Sequence, residues 1–225
     1  MANLRLDLHV HTIHSRDSRL TVEDALQRAM TEGLSGIAIT DHNSIRALAP
    51  ARAFLEGNRT FLLVPGVEVS TTSGHLLVYG MDRAPPPHRP MEETLDAIRD
   101  GGGVPVLAHP FRWAHGVGRR AAERLPVAGL EAMNGRNAEL SNARAGLVAA
   151  SRHLSATGGS DAHEVGSIGR CYSEASEDVA SVEDFLEHLR RGRIQAGGRS
   201  RSSAERVWLS LVNAGRRVRR GFRGV

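Results

Sequence analysis

A single cysteine, Cys171, excludes an internal disulfide, and no C-x-x-C pair offers a thiolate knuckle. Any metal would therefore be held by imidazole and carboxylate, and a reducing compartment fits such a chain. No run approaches the roughly 18 apolar residues of a membrane helix. The first residues enter a strand-like alternation without a basic and then apolar leader, so a cytoplasmic protein is expected. There is no P-loop and no Rossmann glycine fingerprint. The glycines at 101–103 follow a helical stretch instead of opening one, so no nucleotide cofactor is implied.

What is present is ordinary in amount and uneven in placement. With 40 % hydrophobic and 24 % charged residues, 225 residues suit one sizeable core. The net charge of +4 is carried by the end of the chain: residues 199–225 hold eight arginines and one glutamate, a net +7, which leaves −3 for residues 1–198. The expected organisation is a main domain over 1–198 and a basic extension over 199–225. The stretches APPPHRP (84–90) and AGGRSRSS (196–203) read as a loop and a linker.

Short apolar runs alternate with helical patterns. LRLDLHV, GIAIT, FLLVPGVEVS, GHLLVYG, GVPVLAHP, VAGLEAMN and LSATGGSD read as strands; TVEDALQRAMTEG, SIRALAPARAFLEG, MEETLDAIRDGG, NAELSNARAGLVAASRH and SVEDFLEHLRRG read as helices. Thr21 and Ser44 stand as start signals, and glycines after Glu32, Glu56 and Arg191 as stops. Repeated strand-then-helix predicts an α/β fold with a mostly parallel sheet, open or closed into a barrel.

Alternate residues of a strand face opposite ways. Leu4, Leu6, Leu8 and Val10 therefore share one face, and Asp7, His9 and His11 the other. GIAITDH and SDAH repeat the pattern of an apolar strand ending in His or Asp. His-x-His presents two imidazoles to one cation, and His42, Glu68, His75, His109, Asp161 and His163 stand at comparable strand ends. A lone histidine is most often a hydrogen-bonded core or surface residue, but that account does not cover so many in one setting. Such a nitrogen and oxygen donor set suits Zn, Mn or Fe, and a bridging glutamate can hold two ions.

The blocks DLHVHTIHSRDS, GIAITDHNSI, PGVEVSTTSGHLLVYG, LAHPF and GGSDAHEVGSIGR, in this order from about residue 6 to 170, resemble the PHP (polymerase and histidinol phosphatase) family of metal-dependent phosphoesterases. The resemblance implies a distorted (β/α)7 TIM-like barrel with two or three divalent ions (Zn, Mn or Fe) at the strand C-termini. Carried over by position, His9, His11, Glu68 and Asp161 would bind a first ion. Glu68 would bridge to a second, held by His109 and, from the GH-plus-strand context, His75. A third would use Asp17, His42 and His163. Asp7 and Asp41, beside ligating histidines, could fix imidazole tautomers or form salt bridges. His14 has no metal assigned, and His88, His153 and His188 read as surface residues.

The implied activity is hydrolysis of a small phosphomonoester or nucleotide by metal-activated water. Asp161 and His163 belong to its catalytic set, with Arg112 and Arg170 as phosphate clamps or else plain surface arginines. The rival is a PHP-type nuclease or nucleic-acid binder gripping phosphates with the Arg-rich end; a purely structural metal site is a third reading, against which the complete ligand set argues. Residues 204–225 read as a short amphipathic helix that docks on the body or meets nucleic acid or an anionic membrane surface.

Overall fold

The computed structural model describes residues 3–200 and 205; the remainder of the basic extension, with its expected helix, lies outside the described residues. Eight strands follow the seven apolar runs: β1 (Leu4–Val10), β2 (Gly36–Ile39), β3 (Leu62–Leu63), β4 (Gly66–Thr71), β5 (Gly74–Tyr79), β6 (Val104–Leu107), β7 (Gly129–Asn134) and β8 (Ser155–Gly159). They are followed by β9 (Cys171–Ala175) and β10 (Gln195–Gly198). The helices are α1 (Val22–Thr31), α2 (Leu48–Phe54), α3 (Met91–Asp100), α4 (Gly118–Ala122), α5 (Glu139–Ser151) and α6 (Val182–Arg190). The FLLVPGVEVS run divides at Val64–Pro65 into β3 and β4, since proline cannot donate to a ladder.

The α/β class expected from the alternation holds. The strands form two mixed sheets, ordered β10-β9-β1-β2-β3 and β4-β5-β6-β7-β8. Parallel pairing joins β1 to β2, β2 to β3, β6 to β7 and β7 to β8, whereas β5 is antiparallel to both its neighbours and β9 to β1. Only Thr72 and Ser73 separate β4 from β5, too short a link for a parallel crossover. Two isolated parallel bridges, Val10 with Ala162 and His42 with Glu68, connect the sheets beside the candidate ligands.

Local signals behave unevenly. Thr21 and Ser181 cap α1 and α6, each hydroxyl accepting an N–H bond of 3.1 Å from Asp24 or Asp184. Ser44 is no cap: α2 begins at Leu48, and the Ser44 hydroxyl accepts from Arg46 N–H. The stretch read as a linker from residue 196 begins inside β10, which pairs with β9. Ser200 Oγ then accepts from Asn142 Nδ2, so the chain stays on the body this far.

Both faces of β1 are buried. Leu6 and Leu8 pack with Tyr79, Val106 and Phe185, and Val10 with Leu26 and Ile37 of α1 and β2. Asp7 and His9 are wholly shielded on the opposite face. The GG of LSATGGSD has a packing reason: a Cβ on Gly159 would collide with the His9 side chain.

Candidate metal centre

Every residue assigned as a ligand comes to one cleft: His9 and His11 at the end of β1, Asp17 in the loop beyond it, His42 after β2, Glu68 within β4, His75 on β5, His109 after β6, and Asp161 and His163 after β8. It holds about 500 Å³ and is lined by Asp17, His42, Glu68, His75, His109 and Asp161, among others. His109 and Asp161 follow their strands with φ of 30° and 53°, in the left-handed region that non-glycine residues rarely occupy. Such strain is stored where surrounding structure over-determines the backbone, typically at functional sites.

Glu68 is the hub. Its Oε1 lies 2.7 Å from His75 Nδ1 and 3.0 Å from His109 Nε2. Its Oε2 lies 3.2 Å from the Nε2 atoms of both His9 and His11 and 3.3 Å from His42 Nδ1. His9 Nε2 and His11 Nε2 face each other at 3.0 Å, with Asp161 Oδ1 at 4.0 and 3.6 Å from them. A tetrahedral ion with bonds near 2.0–2.2 Å has donor–donor edges of about 3.4 Å, so this spacing fits a metal polyhedron. Three overlapping sets converge within 4.8 Å: His9, His11 and Asp161; His9, Glu68 and His109; His11, His42 and Glu68. Around them, Asp17 Oδ2 sits 2.9 Å from His163 Nε2 and 3.8 Å from His42 Nε2.

The charges agree with that fit. Burial alone would lower the His9 pKa, but Glu131, Asp161 and Glu68 hold it well above the ordinary imidazole value. Carboxylates converging on one ring favour a positive charge there, whether proton or metal ion. Burial would raise Glu68 and Asp161. The surrounding imidazoles hold Glu68, and Arg112 with His9 and Arg136 holds Asp161, well below the usual carboxylate range. His11 and His109 are lowered chiefly by burial, which keeps their rings neutral and free to ligate. His42 Nδ1 is buried with no hydrogen-bond partner despite its nearness to Glu68. A set of nitrogen and oxygen donors without sulfur thus fits a multinuclear divalent centre.

The second layer differs from expectation. Asp7 and Asp41 touch no imidazole and form no ion pair among the described residues. Asp7 accepts N–H bonds from Ser160 (2.8 Å) and Gly169 (2.9 Å), and burial pushes its pKa up to about 6. Asp41 accepts from Thr12 N–H and Thr12 Oγ1 (both 2.6 Å) and from Ser15 Oγ (2.8 Å). Both pin loops instead of tautomers, because the His9 imidazole finds another acceptor. That acceptor is Glu131, which the sequence reading missed. Its Oε1 lies 2.8 Å from His9 Nδ1, and its Oε2 accepts the His109 N–H at 2.8 Å.

The two arginines part company. Arg112 faces the cleft, its NH2 bonded to Asp161 Oδ2 (2.6 Å) and Asn134 Oδ1 (2.8 Å) and its Nε to Asn137 Oδ1 (2.8 Å). Arg170 lines a different cavity with Arg28, Glu32 and Arg199, and its guanidinium holds the Glu205 carboxylate at 2.7 and 2.9 Å. The loop carrying it turns away because Gly169 N–H is tied to Asp7. The cleft arginine missed by the sequence reading is Arg136, 3.1 Å from the His163 ring and 3.6 Å from Asp161 Oδ1. His115 was also missed; it stacks on His75 with ring centroids 4.8 Å apart. His14 is half-buried and does not line the cleft. His88 and His153 are exposed as expected, but His188 is largely buried, 3.7 Å from Asp178.

The fold and the cluster define an α/β protein with buried His, Glu and Asp groups that fit a multinuclear metal site. Residues 7–98 match the PHP domain and residues 139–194 the PHP-associated segment. An uncharacterised protein of Methanocaldococcus jannaschii is 30 % identical over 118 residues, 48 % of this chain and 68 % of its own. The chain belongs to the PHP family. It is also similar to the 5′-3′ exoribonuclease Rnm of Escherichia coli, 46 % identical over 66 residues, 29 % of this chain and 22 % of that one. The 3′,5′-nucleoside bisphosphate phosphatase of Chromobacterium violaceum is 34 % identical over 105 residues, 45 % of this chain and 34 % of that one. Both matches therefore span well under half of the relative. The crystal structure of PsfC from Pseudomonas syringae shares the fold, with a TM-score of 0.67 at 18 % identity over 97 % of this chain and 99 % of that one. Among the described residues no helix is long and apolar enough to cross a membrane.

Proposed function

We propose that the chain is a metal-dependent phosphoesterase that hydrolyses a small phosphomonoester or nucleotide, with residues 1–198 as the hydrolase domain and 199–225 as a basic extension whose first residues still touch that domain. The observation that carries this is the single shielded glutamate, Glu68, surrounded by His9, His11, His42, His75 and His109 at 2.7–3.3 Å in an open cleft that also holds Arg112. In this reading His9, His11, Glu68 and Asp161 hold a first ion, Glu68, His75 and His109 a second, and Asp17, His42 and His163 a third. The cycle β1-β2-β4-β5-β6-β7-β8, closed by the two isolated bridges, is read as the distorted (β/α)7 barrel.

Bound divalent ions of the Zn, Mn or Fe kind supply Lewis acidity toward the phosphoryl oxygens and make a water molecule acidic enough to attack near neutral pH. The protein's own part is orientation and charge. Glu131 holds the His9 ring and the His109 backbone, so two ligands keep one geometry. Arg112 is fastened by Asn134 and Asn137, which leaves a planar donor group preset for phosphate oxygens at the cleft. Arg136 adds a second positive charge on the same side.

The named relatives support a substrate among nucleotides or RNA, and the arginines of the extension keep the nuclease reading in play. A panel of phosphomonoesters, nucleotides and 5′-phosphorylated oligonucleotides, given to metal-loaded protein, separates the two. Inorganic phosphate from small esters supports the phosphatase; mononucleotides from oligomers, with small esters untouched, support the nuclease. Hydrolysis of neither would overturn both.

A further inference from the structure

Beyond the metal cleft, the loop from Pro110 to Val117 carries a feature that ligand chemistry does not require. Trp113 is fully exposed, with 101 % relative accessibility. An indole gains nothing in folding from such a position, and a large exposed aromatic is a recurrent mark of a binding surface. The loop beneath it is fastened. Arg112 N–H donates to the His109 carbonyl (2.9 Å), Gly118 N–H to the Pro110 carbonyl (2.9 Å), and the Ser141 hydroxyl of α5 to the Phe111 carbonyl (3.2 Å).

Trp113 stands on the rim of a second cavity of about 690 Å³, walled by Phe111, Leu147 and Val148 and by the cations Arg119 and Arg144. Arg119 is paired with Glu123, while Arg144 has no carboxylate partner among the described residues. Arg112 lines this cavity and the metal cleft alike, forming the wall between them. An apolar, aromatic pocket with one unpaired cation, separated by a phosphate-type arginine from a phosphoryl-transfer site, has the chemistry of a base subsite. Stacking on an aromatic ring accepts any nucleobase, because every base has a π face.

We propose that this cavity receives the nucleobase of the phosphoester substrate, stacked on Trp113, while the phosphate lies across Arg112 in the metal cleft. The inference rests on the phosphoesterase reading and narrows it to esters that carry a base, whether a free nucleotide or the end of an oligonucleotide.

Matched esters test it. For W113A, kcat/KM on adenosine 5′-monophosphate should fall about tenfold or more, mostly through KM, while ribose 5-phosphate, the same ester without its base, is turned over as by the parent. W113F, which keeps a ring, should restore most of the loss. A 5′-phosphorylated dinucleotide run alongside shows whether free nucleotide or chain end is preferred. A second readout does not need turnover: the chain's only other tryptophan is Trp208, so W208F leaves Trp113 as the sole indole. Adenosine 5′-monophosphate should quench its emission, and ribose 5-phosphate should not. Equal kcat/KM for W113A and parent on the nucleotide, or an emission indifferent to it, overturns the subsite. If no ester is hydrolysed by metal-loaded protein, the phosphoesterase reading fails by itself, and the emission of W208F still decides whether a base binds.

Discussion

His109 and Trp113 are four residues apart, and their surroundings could hardly differ more. His109 is 2 % exposed, strained at φ 30°, and held by Glu68 and Glu131; Trp113 is bare to solvent, although the loop that carries it is tied down through its backbone and through Arg112. In the first region the buried carboxylates and imidazoles crowd one another, so a change there propagates through charge and desolvation. In the second a side chain can be replaced with little consequence for the fold. The contrast teaches a division of labour: the buried cluster determines whether chemistry occurs, and the rim determines on what.

The sharpest way to break that division is Asp161→Ala. It removes an assigned ligand that Arg112, His9 and Arg136 keep ionised against its burial, so activity should fall by more than the roughly 100-fold typical of outer partners, with metal content reduced and the circular dichroism spectrum largely kept. Full turnover in this variant would sink the ligand assignment.

Next in size is Arg112→Ala. Losing a preset cation should cost on the order of 2–4 kcal/mol in transition-state stabilisation, measured as kcat/KM, without metal loss. Arg170→Ala is the paired control. Its guanidinium is spent on Glu205 in another cavity, so small-ester kinetics should match the parent; equal losses in both would erase the difference drawn between them.

Glu131→Gln should act through the His9 ring and the His109 backbone that it holds. An amide cannot accept from both His9 and the His109 N–H as the carboxylate does, so metal affinity should weaken about 10- to 100-fold, read by competition with a chelating dye. Unchanged affinity would make Glu131 a mere packing residue.

The smallest effect concerns Cys171, whose thiol burial pushes up to about 12. At pH 8 the native protein should hold on the order of a thousandfold less thiolate than an ordinary cysteine. Alkylation by iodoacetamide should therefore be slow until denaturant is added. Rapid labelling of the native chain would show that β9 opens readily.

The cluster was legible because the alternation of β1 is plain, with His9 on the strand and His11 just past it, because His109 and Asp161 follow β6 and β8, and because Glu68, the third of six residues in β4, sits in the block PGVEVS. The ligand block order did the rest. Glu131 holds the same place in β7 as Glu68 in β4, third of six residues, but escaped because GLEAMN belongs to none of the blocks that resemble the family. The available signal was physical, since a carboxylate inside an otherwise apolar buried strand demands a partner. Arg170 was misplaced because the direction of its loop is set by Gly169 bonding to Asp7, 162 positions away, and by Glu205. β9 and β10 were missed because CYSEA and QAGG hold no Val, Ile, Leu or Phe and owe their pairing to distant strands, β9 to β1 and β10 to β9. Nothing local in the sequence reveals such neighbours.

The central claim is that the histidine and carboxylate cluster holds metal and that this metal performs the hydrolysis. Metal analysis and phosphate release, made on one sample of the wild-type protein before chelation, after it, and after return of Zn, Mn or Fe, test both halves together. The account predicts two or three ions per chain, activity lost with them and restored by re-addition. A chain that binds no ion, or one that hydrolyses esters equally well when stripped, would contradict it.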